Sequence, residues 1–280
     1  MIPEQQHFKL GAMLGRLSAK YNQPLQSFPL ETWKEEFSNA VNLNLDCIEW
    51  VEDGSSDDHN PLFSANGRND LLELQIHHSI SIDSICCHSF ISGGLISLDE
   101  SVRQFWIKRL NLILKWATDI HASSIILPLM EGFAVHSPIE EKIFIDSMNQ
   151  INVSDHNVRI LLETDLVAKR ALELMQKLNK DYFGMVYDLG NATQLKFNIY
   201  QDIALLCNVI DEIHFKDKNL DTSYRLGYGG TNFEEAAKAL NDFNWKGRFI
   251  LETPIFHDWY TEAHHNVEFA KNLISSIKIK

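Results

Sequence analysis

RILLET at residues 159–164 is a short apolar run that ends on a charged side chain, and nearly the same hexapeptide, RFILET, returns at 248–253. Apolar runs of this length read as buried strands, so each copy carries a glutamate, Glu163 or Glu252, out of a strand end. Similar runs recur at wide, fairly even spacing: FKLGAML (8–14), LDCIEW (45–50), SIDSICC (81–87), SSIILPL (123–129), VRILLE (158–163), GMVYDL (184–189), VIDEIHF (209–215) and RFILE (248–252). Between them stand ETWKEEFSNAVNL (31–43), SVRQFWIKRLNLILKWATDI (101–120), VAKRALELMQKL (167–178) and FEEAAKALNDF (233–243). Their apolar residues recur at three- and four-residue steps, which predicts helices. Eight strand-then-helix units with near-continuous apolar strands predict an α/β protein, a (β/α)8 barrel. The alternative, an open doubly wound sheet, would usually carry a GxGxxG turn after its first strand, and LGAMLGRLS (10–18) lacks it.

The chain of 280 residues shows no Pro/Ser linker and no low-complexity tract, so the expectation is one barrel domain over 1–280. Hydrophobic residues at 45% and charged residues at 22% are ordinary for a soluble globular chain. No segment approaches a membrane span and MIPEQQHFKL (1–10) lacks signal-peptide features, so a cytoplasmic address and no membrane partner are expected. Cys47, Cys86, Cys87 and Cys207 lie in apolar segments and read as buried thiols rather than a disulfide framework. A formal charge of −13 without a basic run argues against nucleic acid as the partner. VEDGSSDDHNPLFSANGRND (51–70) reads as a long loop after strand two, at the mouth of such a barrel, as a lid or an insertion.

In a barrel the carboxyl ends of the strands form the active-site face. Glu163, Asp188, His214 and Glu252 end four consecutive predicted strands and therefore share one side of one mouth. Three carboxylates crowded there would repel unless a cation compensates them. One divalent metal ion is the natural compensation, and an oxygen-rich set with a single imidazole suits Mg²⁺ or Mn²⁺, with Co²⁺ or Zn²⁺ as the other options. By alternation Lys216 points the same way as His214, where it would hold an oxyanion or phosphate. Thr231 and Glu234 in LGYGGTNFEE (226–235) form a capping-box pattern, and the amides of that helix start are candidates to cradle a phosphate. Arg16, His88, Asn191 and Arg225 are further candidates for substrate contact at strand ends. His77-His78 and His264-His265 read as exposed pairs, and Arg159 and Arg248 as structural residues near the barrel's opposite end.

GRLS (15–18), IEW (48–50), LLET (161–164), YDLGN (187–191), HFKD (214–217), LGYGGTNF (226–233) and ILET (250–253) resemble, in order and spacing, the xylose-isomerase-like superfamily of sugar isomerases and epimerases, which includes endonuclease IV. The D-x-G-N and H-x-K-D forms look most like the branch acting on phosphorylated pentuloses and hexuloses, including L-xylulose-5-phosphate 3-epimerase and hexulose-6-phosphate isomerases. That resemblance implies a metal-dependent isomerase or epimerase of a sugar or sugar phosphate. Glu163 and Glu252 would each be ligand and proton carrier, around an enediolate whose charge the metal stabilises. The DNA-repair nuclease branch has further zinc ligands, among them a histidine where Asn191 stands, and Ser223-Tyr224-Arg225 replaces its Asp-x-His. An inactive, sugar-binding barrel is the other alternative. The expected partner is a small sugar or sugar phosphate, with homo-oligomerisation left open.

Overall fold

A computed structural model describes residues 8–19, 26–54, 59–255 and 258–278. The strands are β1 (Leu10–Met13), β2 (Cys47–Glu52), β3 (Ser81–Cys87), β4 (Ser124–Leu129), β5 (Arg159–Thr164), β6 (Phe183–Asp188), β7 (Ile210–Phe215), β8 (Asp217–Asn219), β9 (Thr222–Tyr224) and β10 (Arg248–Leu251). The helices are α1 (Glu35–Asn42), α2 (Ala65–His78), α3 (Glu100–Asp119), α4 (Pro138–Met148), α5 (Ala168–Met175), α6 (Leu189–Gln194), α7 (Ile199–Leu206), α8 (Phe233–Asp242) and α9 (Trp259–Ser275). Eight strands close a parallel barrel in the order β1-β10-β7-β6-β5-β4-β3-β2, and β8 and β9 form a separate antiparallel hairpin beyond β7. With helices between the strands, this is the (β/α)8 barrel that the apolar runs predict.

Alternation along each strand sorts its side chains between the barrel interior and the helical shell. On β7 and β10 the shell-facing rings of Phe215 and Phe249 stack with centroids 4.9 Å apart, and Phe233 of α8 packs on Phe215. That contact fixes the backs of two strands whose fronts carry His214 and Glu252. The inward residues form vertical sets: Arg159, Leu161 and Glu163 on β5; Gly184, Val186 and Asp188 on β6; Glu212, His214 and Lys216 along β7; Arg248, Ile250 and Glu252 along β10. Ile126, Leu161 and Val186 make a small apolar cluster apart from the main core, on the β4–β6 side. The β7 side of the interior is filled by hydrogen-bonded polar groups instead.

The 51–70 stretch is not a loop throughout. β2 continues through Glu52, a short 3-10 turn covers Pro61–Phe63 and α2 starts at Ala65, while residues 55–58 lie outside the described residues. The polar residues that suggest a loop are caps: Asn60 Oδ1 accepts from Leu62 N–H and from Trp50 Nε1–H, and Ser64 Oγ accepts from Gly67 N–H. All four cysteines are free, three of them buried and Cys207 half-buried. No described helix is long and apolar enough to cross a membrane.

Glu36 on α1 ties that helix to the connection leaving β1. Its carboxyl, fully buried, accepts from Gly15 N–H at 2.7 Å and Ser18 Oγ–H at 2.5 Å, which holds the turn carrying Arg16. Burial outweighs these donors and pushes the Glu36 carboxyl up to about 7. A carboxyl whose folded pKa exceeds its unfolded one stabilises the fold at low pH and loses that contribution as pH rises through the folded value. Chemical denaturation of Glu36→Gln and the parent at pH 5 and pH 8 should therefore show the stability difference moving in favour of the variant by about 2 kcal/mol. Equal differences at both pH values would contradict this.

Candidate metal centre

Each of the four strand-end residues arrives where its strand ends. Glu163 and Asp188 sit in β5 and β6, Asp188 is the register partner of His214 across β6 and β7, and Ile250 is its partner on the other side. Glu252 follows β10 and donates its backbone N–H to Phe215 O at 3.1 Å, which extends the strand pairing by one residue. One ligand atom from each of Glu163, Asp188, His214 and Glu252 lies within 4.8 Å of the other three, and all four residues are buried.

The charges are only partly balanced. Lys216 donates from Nζ to Asp188 Oδ2 at 3.1 Å and to Glu252 Oε1 at 2.5 Å. Burial alone would raise the Glu252 carboxyl, but Lys216 and His214 outweigh it and hold it well below the usual range. Among the described residues Glu163 has no such cation in contact. Burial, reinforced by the Glu252 charge, pushes its carboxyl up to about 8. Asp188 is likewise raised by burial despite Lys216. Burial lowers the His214 pKa, yet the carboxylates of Glu49, Glu212 and Glu252 around the ring overcome it and raise it well above its ordinary value. With His214 neutral, three carboxylates against one ammonium leave an excess of two negative charges. That excess, on oxygen donors with one imidazole, fits one divalent cation.

Of the sequence-derived candidates for substrate contact, the structure brings three to this centre. Besides Lys216, Asn191 donates from Nδ2 to Glu163 Oε1 at 2.9 Å, while its backbone N–H reaches Asp188 Oδ1 at 2.8 Å, because Asp188 caps α6. Arg16, buried, reaches Gln26 Oε1 from Nη2 at 2.5 Å, and Gln26 Nε2 donates to Glu252 Oε1 at 2.5 Å. Arg225 is drawn aside: its guanidinium lies over the Tyr228 ring at 4.0 Å and 3.8 Å from Glu262 on α9. His88, half-buried, follows β3 at the same mouth without joining the cluster.

The expected phosphate cradle is differently employed. Gly227 N–H and Gly229 N–H donate to Asp217 Oδ2 at 2.9 and 2.8 Å, and Thr231 N–H donates to Asp217 Oδ1 at 3.0 Å. A Cβ on Gly229 would come within 2.2 Å of Asp217 Oδ1, so a glycine is needed for that carboxylate to approach. Those amides are taken by the protein itself. The cap of α8 is also one residue later than the sequence suggests: Asn232 Oδ1 accepts from Glu235 N–H, because the Thr231 hydroxyl is occupied by Lys216 O and Thr193 Oγ1.

Residues 37–273 match the family model of the xylose isomerase-like TIM barrel. The chain belongs to that family. Among curated proteins it is 22% identical over 242 residues to a putative L-ribulose-5-phosphate 3-epimerase, SgbU, of Haemophilus influenzae, covering 79% of this chain and 83% of that one. It is 20% identical over 233 residues to the L-ribulose-5-phosphate 3-epimerase UlaE of Escherichia coli, covering 79% and 82%. Among solved structures, a D-allulose 3-epimerase from Methylomonas sp. superposes with a TM-score of 0.77 at 12% identity, over 96% of this chain and 98% of that one.

A cation entering this centre displaces protons, since burial raises the Glu163 carboxyl and the surrounding carboxylates raise the His214 ring without it. Affinity for Mn²⁺, measured calorimetrically on chelator-stripped protein, should rise about tenfold or more per pH unit between pH 6 and pH 7.5. An affinity that stays flat over that range would contradict the protonation pattern.

Proposed function

We propose that this protein is a divalent-metal-dependent epimerase acting at C3 of a ketose or ketose phosphate. The observation that carries the reading is the pair of glutamates, Glu163 and Glu252, that reach one buried cluster from non-adjacent strands. Inverting a carbon next to a carbonyl requires a base on one face and a proton donor on the other. Two carboxyl groups that reach one centre from different strands meet that need. Glu252, held ionised by Lys216 and His214, is the base for one direction of the reaction. Glu163, which reaches the centre from the other strand, is the donor, and the two exchange roles in reverse. Asn191 and Gln26 hold one oxygen of each glutamate and so fix where the other oxygen points. A divalent ion held by Glu163, Asp188, His214 and Glu252 would supply the charge stabilisation that proton removal beside a carbonyl demands.

The curated relatives named as 3-epimerases of a ketose phosphate support this reading over aldose–ketose isomerisation. The nuclease alternative draws no support from the centre. Among the described residues the other group able to hold a metal, Glu49, Glu212 and His214, shares His214 and lies below it in the barrel rather than adding ligands at the mouth. A phosphorylated substrate is favoured by Lys218. Its half-buried ammonium donates to Asn191 Oδ1 at 2.9 Å and Gln194 Oε1 at 2.5 Å, two neutral amides, beside the residue that holds Glu163.

Glu163→Gln and Glu252→Gln should each reduce epimerisation at C3 to background while the circular dichroism of the protein is unchanged. Undiminished epimerisation in either variant would remove that residue from the proposed role. Lys218→Met should raise KM for the ketose phosphate roughly ten- to hundredfold, the loss of one charge-assisted contact, and leave KM for the unphosphorylated ketose unchanged. Equal changes for both substrates would show that Lys218 does not bind the phosphate.

A further inference from the structure

Below the four strand-end residues the barrel interior holds a second buried polar layer that the proposed chemistry does not use. Glu212 and His214 are inward neighbours on β7, and both are fully buried. Glu212 Oε1 lies 2.9 Å from His214 Nε2. Its other oxygen accepts from Arg248 Nε–H, and the same guanidinium donates onward to the hydroxyls of Ser123 and Ser124 at the base of the barrel. The opposite ring nitrogen, Nδ1, is the one turned to Glu252, at 3.0 Å.

Carboxylates flank both ring nitrogens, so the hydrogen that remains when a cation takes the cluster side is the one facing Glu212. A guanidinium only donates, so Glu212 meets Arg248 as an acceptor, and its free oxygen is an acceptor for the ring. A neutral imidazole has a single N–H. If that hydrogen serves Glu212, it sits on Nε2, and the lone pair is on Nδ1, facing the cluster. Among the described residues the other group near Nε2 is Glu49 Oε1 at 3.4 Å, an oxygen that makes no hydrogen bond, while Glu49 Oε2 accepts from Ser84 Oγ at 2.7 Å. Glu49 thus adds its charge to the field on the ring, while Glu212 makes the shorter contact to Nε2.

We propose that Glu212 is the positioning residue of this centre: braced from below by Arg248, it holds His214 in the Nε2–H form with Nδ1 presented to a divalent ion. The inference rests on the metal-centre reading above. Carboxylates that orient a metal-binding imidazole commonly change metal affinity by 10- to 100-fold when replaced. Glu212→Gln is an informative change because an amide must offer either its oxygen or its N–H₂ to the ring. Offering the oxygen turns the N–H₂ against the Arg248 donors; satisfying Arg248 turns the N–H₂ towards Nε2 and forces the hydrogen onto Nδ1.

The experiment is calorimetric titration of chelator-stripped parent, Glu212→Gln and Glu49→Gln proteins with Mn²⁺. It is paired with ¹⁵N NMR of the His214 ring in the Mg²⁺-loaded parent. Glu212→Gln should bind Mn²⁺ about 10- to 100-fold more weakly and Glu49→Gln within about threefold of the parent, with the parent spectrum showing a protonated Nε2. The NMR reading is independent of whether Glu212→Gln folds. A Glu212→Gln affinity within twofold of the parent, an equal loss in Glu49→Gln, or a protonated Nδ1 in the loaded parent would each overturn the assignment. Those results would leave the centre itself standing, whereas no Mn²⁺ binding by the parent would overturn both.

Discussion

Three carboxylates meet at one buried mouth with a single ammonium between them. In water such a cluster would be held apart by solvation, but here β5, β6 and the ends of β7 and β10 fix the backbone positions and the barrel excludes solvent. The protein responds within the constraint it has: Lys216 bridges Asp188 and Glu252, the carboxylates around His214 favour its protonated ring, and burial raises the Glu163 carboxyl. Each of these is a substitute for missing positive charge. The reading of the site as a metal centre follows from that imbalance.

The rest of the fold serves the same constraint. Phe215 and Phe249 lock β7 to β10 on the outside, so His214 and Glu252 keep their spacing on the inside. The glycine loop after β9 wraps its amides around Asp217, which orders the chain immediately after Lys216. Beneath the mouth, Arg248 and Glu212 connect the ring of His214 to the base of the barrel. The interior therefore has an apolar side, on β4 to β6, and a polar side that carries the support of the site.

Much of this was legible in the sequence, for a physical reason. Parallel strands buried on both faces are continuous apolar runs, so all eight barrel strands could be found, and the polar residue ending a run marks the mouth. The supporting residues were harder. Glu212 lies inside VIDEIHF, where a charged residue reads as an interruption of the strand, although the E-x-H-x-K alternation at 212–216 already places three polar side chains on one face. Gln26 sits in a loop with no periodic signal. The glycines of 226–230 announce a tight backbone but not which acceptor takes their amides, and Asp217 does so from a different element. Asn60 and Ser64 look like loop composition because capping residues and loop residues are the same types.

The central claim is that this mouth is built for one divalent charge. Its most direct test is the stoichiometry of Mn²⁺ binding to chelator-stripped protein at pH 7.5, followed by calorimetry and by the manganese content after gel filtration. The account predicts one ion per chain, abolished together by Asp188→Ala and His214→Ala. No retained ion, or one that survives both substitutions, would contradict it.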